Sequence, residues 1–134
     1  MGYRSEVAFA IKKDKFRDFK HKLAEAIQDC DEVYKTDNGV VFTWSWAKWY
    51  EDYEEVIAVS EVMDECEDLP GGHELYGFVR IGENSDDIET KGSPYEFGLG
   101  VSRTISKDED EHNYEPVEVK ELMKENSVDF IEKE

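Results

Sequence analysis

The sequence predicts an α+β fold, two amphipathic helices laid on one face of an antiparallel sheet. Three observations predict it. Hydrophobic periodicity switches from two to about 3.6 and back along the chain. An Asp-Asn-Gly triplet at 37–39 marks a hairpin between apolar runs. A Pro-Gly-Gly at 70–72 ends the second helical pattern.

The elements follow in order. YRSEVAFAI alternates Val7, Phe9 and Ile11 with Glu6, Ala8 and Ala10, the pattern of a strand with one buried face. In KDKFRDFKHKLAEAIQDC the apolar positions Phe16, Phe19, Leu23, Ala26, Ile27 and Cys30 return at helical spacing, with Asp14, Asp18, Glu25 and Asp29 opposite. Strands two and three should pair across Asp37-Asn38-Gly39, because Asn and Gly accept the positive φ of a primed turn.

EDYEEVIAVSEVMDECED opens with acids suited to a helix N-terminus. At 100° per residue Val56, Val59, Val62, Met63 and Cys66 share one side, and Glu51, Glu54, Glu61, Glu65 and Asp68 the other. HELYGFVRIGE reads as a fourth strand and YEFGLGVSRTIS as a fifth, separated by the polar turn NSDDIETKGSP.

The order β-α-β-β-α-β-β is that of a ferredoxin-like split β-α-β sheet, whose second face can stay open. Residues 1–105 form the expected single domain. The charge run SKDEDEHNYEP and the weak helical pattern of VEVKELMKENSVDF make 106–134 an acidic linker and short C-terminal helix outside the main core.

Charge is the strongest compositional signal. The 134 residues carry 34 acids against 16 bases, a formal net of −18. Residues 1–30 hold seven bases and five acids, so the acidity lies in the remainder. Such a surface repels phosphate backbones and attracts basic proteins. It equally gives solubility.

Residues 51–68 hold nine acids and no base, roughly one charge per 3 Å along a helix. That approaches the spacing on a DNA strand, about one per 3.4 Å. The stripe also lacks any Lys or Arg at i+4 to relieve repulsion.

The aromatic cluster WSWAKWYEDY puts three tryptophans in the six residues 44–49. On an extended strand Phe42, Trp44 and Trp46 share a face. Facing the helices they are core, and facing outward they form a docking platform. Large rings dominate core energetics, so the expectation is that Trp44 and Trp46 anchor the strand. Trp49, Tyr50 and Tyr53 would then rim the start of the acidic helix.

Other chemistry is weakly signalled. Gly77, Phe78 and Val79 faintly echo an RNA-recognition motif, but Arg80 alone cannot offset Glu74 and Glu83. Glu83, Asp86, Asp87 and Glu89 crowd one turn without the spacing of a calcium loop. His21, His73 and His112 stand apart from any nucleophile motif.

Cys30 and Cys66 match neither a zinc nor a disulfide pattern and read as reduced core thiols. No apolar run reaches the length of a signal peptide or membrane span, which gives the expectation of a cytoplasmic protein. No cofactor or metal and no catalytic residue is expected.

WAKWYEDYEEV, followed by LYGFVRIGENSDDIE, resembles small acidic proteins encoded by bacteriophages and prophages. The likeness runs from about residue 3 to 105 and brings no catalytic residues. It implies inhibitors of host defence nucleases, anti-CRISPR and anti-restriction proteins that imitate DNA among them, acting in the host cytoplasm. The mildly basic first helix departs from a uniformly acidic decoy.

The functional expectation is a non-enzymatic acidic protein whose partner is basic, a nucleic-acid-binding protein or defence nuclease, with no direct nucleic-acid or membrane contact. Its partner-binding residues would be Glu51, Glu54, Glu61, Asp64, Glu65 and Asp68, with Trp49, Tyr50, Tyr53, Asp86 and Asp87. Two alternatives are an interaction module docking through an aromatic sheet face and a small carboxylate-based or cation-dependent enzyme.

Overall fold

The structure, a computed structural model, describes residues 3–28, 30–84, 86–101, 105–107 and 114–124. It is an α+β fold built on a six-stranded antiparallel sheet. The strands are β1 (Ser5–Lys12), β2 (Glu32–Lys35), β3 (Gly39–Ala47), β4 (Tyr76–Gly82), β5 (Ile88–Gly92) and β8 (Glu115–Val117). Their spatial order is β5-β4-β1-β3-β2-β8. β6 (Leu99–Val101) and β7 (Ile105–Lys107) form a separate two-stranded sheet. The helices are α1 (Lys13–Gln28), α2 (Glu54–Glu67) and the short α3 (Val119–Lys124).

The main core lies between the sheet and α1 and α2. Val7, Phe9 and Ile11 of β1 meet Phe42 and Trp44 of β3 and Tyr76 and Phe78 of β4 on that side. Against them pack Phe16, Leu23, Ala26 and Ile27 of α1 and Val59, Val62, Met63 and Cys66 of α2. The apolar helix faces therefore fall where the 3.6-residue spacing puts them.

Several expectations need correction. β1 is buried on both faces, because Ala8 and Ala10 lie with Val41 beneath Phe97 and Leu99. The stretch expected to be a fifth strand is instead a 3-10 turn, Pro94–Phe97, followed by the β6–β7 hairpin. That segment covers part of the second sheet face, which is not left wholly open.

β4 lies between β1 and β5, and β5 is drawn from the presumed polar turn. Its sequence, IETKG, shows no apolar alternation because β5 is an edge strand, with Lys91 exposed and Glu89 paired to Arg80. Part of the presumed tail also returns to the core. β8 pairs with β2, and Leu122 of α3 is fully buried in the main cluster. Residues 108–113, with His112, and 125–134 lie outside the described residues.

The hairpin between β2 and β3 forms as expected but by another device. Thr36 N–H donates to the Gly39 carbonyl at 2.8 Å, leaving Asp37 and Asn38 as the loop. Neither Asn38 nor Gly39 has a positive φ. The Thr36 hydroxyl oxygen accepts from Asn38 N–H (3.2 Å) and Gly39 N–H (3.0 Å) and holds the turn. Glycine is needed at 39 for closeness, since a Cβ there would overlap the Ile11 carbonyl of β1.

Candidate functional site

β1 begins, and β3 and β4 end, at one edge of the molecule, where the chain also enters α2. The antiparallel pairing thus collects Tyr3, Arg4, the 44–53 corner and the 83–87 turn at one place. Hydrogen bonds stitch them together. Tyr3 N–H donates to the Tyr50 hydroxyl and the Tyr3 hydroxyl to Asp87, both at 2.7 Å. Asn84 N–H donates to the Tyr3 hydroxyl at 3.2 Å, and Arg4 N–H to Glu83 at 2.8 Å.

On the helix side this edge opens into a cleft of about 670 Å3 between α2 and β5. Trp49, Tyr50 and Glu51 form one wall, Met63 and Phe78 the floor, and Arg80, Asp87 and Glu89 the far wall. Trp49 is half-buried, tilted against Trp44 at 5.0 Å and Phe78 at 6.2 Å between ring centroids. Tyr50 meets Tyr53 edge-on at 5.1 Å. These aromatics rim the start of α2, where the sequence put them.

Arg80 is the only Lys or Arg between residues 69 and 90, and its surroundings define its role. Its guanidinium donates to Asp87 at 2.9 and 3.3 Å, to Glu89 at 3.0 Å and to the Ser5 hydroxyl at 3.1 Å. Burial works against its charge, but the bonds to Asp87 and Glu89 outweigh that and raise its pKa. The same pair, helped by the Tyr3 hydroxyl, holds the Asp87 carboxyl below the usual carboxylate range. With most of its N–H groups engaged, Arg80 is a strut between β4 and β5 and is poorly placed to take an incoming anion.

The acidic helix face is laid out as the wheel predicts. Glu54, Glu61, Asp64, Glu65 and Asp68 are all exposed, as is Glu51 just before the helix. α2 starts from an extended Tyr53 without a side-chain cap, and Glu54 and Glu55 sit in the first turn against the positive helix end. It stops before Gly71, whose φ of 68° is left-handed.

The stripe has one neighbour the sequence did not reveal. Lys22 of α1 donates to Glu65, and that bond raises the Lys22 pKa. Relief thus comes from the adjacent helix rather than from i+4. Glu67 is also engaged, accepting from the Tyr76 hydroxyl at 2.6 Å. Among the described residues Glu54, Glu61, Asp64 and Asp68 make no ion pair.

The structure therefore splits the expected site. Trp49, Tyr50, Tyr53, Glu51, Asp86 and Asp87 gather at the corner, while Glu61, Asp64, Glu65 and Asp68 run away from it along α2. Asp86 is exposed, whereas Asp87 is committed to Arg80 and Tyr3. Among the described residues no group of three His, Cys, Asp or Glu is arranged to hold a metal ion, and no helix is long and apolar enough to cross a membrane.

The largest correction concerns the tryptophans. Trp44 is core, 4% exposed, but Trp46 is 67% exposed. Between the Ser5–Ala47 and Val7–Trp44 pairs β3 carries one residue more than β1, a bulge that breaks the alternation. Trp46 takes it up with a φ of 58°, the only positive φ at a non-glycine among the described residues. For a bulky side chain this conformation costs about 1–2 kcal/mol. No sequence signal marks it.

Compared with protein-family models, curated proteins and solved structures, the chain matches none.

Proposed function

We propose that this protein is a non-enzymatic binding protein that presents the outer face of α2 to a basic protein partner. The supporting observation is the solvent-exposed row Glu54, Glu61, Asp64, Glu65 and Asp68, continued at the corner by Glu51 and Asp86 and paired to a base only at Glu65 among the described residues. A rigid helix with that charge density suits the cationic groove of a nucleic-acid-binding protein, a host defence nuclease included. The role we favour is inhibition by occupying that groove, in an intracellular, phage-encoded setting of the anti-CRISPR or anti-restriction kind.

We also read β4-β1-β3-β2 with α1 and α2 as a ferredoxin-like unit, since β1 and β2 run parallel with β3 between them, and β5 and β8 as edge additions. In that reading the fold serves as a stiff mount for α2.

The test is capture of basic proteins from host lysate by the wild-type chain and by a Glu54→Lys, Glu61→Lys, Glu65→Lys, Asp68→Lys variant. Wild type should retain them at low salt and release them near about 0.5 M salt, where the Debye length falls to roughly 4 Å. The variant should retain none while keeping its thermal transition. Undiminished capture by a folded variant would overturn the proposal.

A further inference from the structure

The second sheet face is covered over only part of its length. Phe97 and Leu99 close over Ala8, Ala10 and Val41. At the edge where β1 begins, Arg4, Glu6, Trp46, Ile81 and Glu83 border an open cleft of about 470 Å3. Ile88, paired with Ile81, is exposed beside it.

Trp46 stands out there because of how it is held. Regular alternation would turn its indole toward the helices with Trp44, yet the bulge turns it to the opposite side at a conformational cost. Two contacts pin the bulge. The Arg4 guanidinium donates to the Trp46 carbonyl at 3.1 Å, and Ser45 N–H donates to the Asp31 carboxylate. The chain thus keeps a large ring in water in a conformation that a tryptophan resists.

We propose that Trp46, flanked by Glu6 and Glu83, is a docking point for an arginine or lysine side chain of a protein partner. The indole face attracts a cation through its quadrupole, and a tryptophan gives the strongest such contact. The carboxylates of Glu6 and Glu83 outnumber the one base at the rim, Arg4, whose guanidinium is turned to the Trp46 carbonyl, and supply the countercharge. An apolar occupant would strip water from both carboxylates, leaving Glu83 only its bond from the Arg4 N–H and giving Glu6 no partner, which is costly. A second copy of the chain would bring another −18 of net charge against this one.

The basic partner is the one inferred from α2, so the proposal rests on that reading for the partner's class. The site itself lies on the other side of the sheet from α1 and α2, which allows the two to fail separately.

The experiment titrates a capped hexa-arginine peptide into 15N-labelled protein, following the Trp46 indole N–H and the backbone amides of Glu6 and Glu83. A saturable shift at all three groups is expected, and it should persist in the four-lysine α2 variant. Trp46→Asn, which accepts a positive φ, should weaken binding read at the Glu6 and Glu83 amides by roughly 5- to 30-fold. Trp46→Phe should restore part of the loss.

Disappearance of the Trp46 shift in the α2 variant would assign the peptide to the helix field and overturn the proposal. An equal shift with a capped, uncharged leucine–serine peptide would overturn it as well, by making the surface an apolar one. Loss of lysate capture in the α2 variant with the Trp46 shift intact supports both sites, and intact capture with an intact shift removes only the α2 reading.

Discussion

Replacing Trp44 and Trp46 in turn tests the bulge in β3. Trp44 is 4% exposed and packs on Trp49, so Trp44→Ala leaves a cavity that the surrounding rings cannot fill. Such truncations cost about 3–5 kcal/mol. For a chain of 134 residues, with unfolding entropy near 2.1 cal/mol/K per residue, that lowers Tm by roughly 10–18 °C. Trp46 behaves differently. With 67% of it exposed, it buries only about 80 Å2, or about 2 kcal/mol at 25 cal/mol/Å2. Glycine at 46 gives up that burial but also removes about 1–2 kcal/mol of left-handed strain. Trp46→Gly should thus stay within about 1 kcal/mol of wild type, a Tm change under about 4 °C. Scanning calorimetry on both variants decides the matter. A Trp46→Gly loss as large as that of Trp44→Ala would mean that β3 alternates unbroken and both indoles lie under the helices.

Three other outcomes are expected. Leu122→Ala, in the segment read from sequence as a tail, should cost about 2–5 kcal/mol in urea titration because Leu122 is fully buried in the main core. The Cys66 thiol, buried and pushed up to about 11 by that burial, should resist iodoacetamide at pH 8 while the half-buried Cys30 is alkylated first, as peptide mass mapping would show. Asp87 has a folded pKa below its unfolded value, so its contribution is fully present above about pH 4 and is lost as pH falls through the folded value. Asp87→Asn should therefore flatten stability against pH in that acidic window and leave the alkaline limb unchanged.

What the sequence conveyed and what it hid divide along a physical line. Val56, Val59, Val62, Met63 and Cys66 were legible because a helix against a sheet must repeat its apolar contacts every 3.6 residues. β5 was not, since an edge strand with Glu89 and Lys91 on one face has no apolar face to repeat. The covered second face was missed because alanines at 8 and 10 look neutral until Phe97 and Leu99 close over them. At the candidate site the acids could be read from spacing alone, whereas Tyr3 and Arg80 act through partners 84 and 7 residues away. Trp46 was misplaced for a related reason, as one inserted residue in a strand reverses every later side chain and leaves no trace in composition.

The geometry also gives the charge asymmetry a direction. α1 follows the C-terminal end of β1 and α2 the C-terminal end of β3, and because these strands are antiparallel the helices start from opposite edges of the sheet. A base of α1 nevertheless reaches the C-terminal end of α2, where Lys22 meets Glu65. Part of the acidic charge of α2 is thus offset inside the protein there. At the other end Glu51 and Glu54 are joined by Glu83 and Asp86, and Arg80 is neutralised by Asp87 and Glu89. These acids lie at the aromatic corner, with Arg4 and Lys48 among them, between the α2 cleft on one side and Trp46 on the other. The cationic partner we propose, steered by long-range charge, would arrive where the exposed Trp46 ring can hold it by short-range contact, which gives the WSWAKWY corner a physical reason to adjoin the acidic helix.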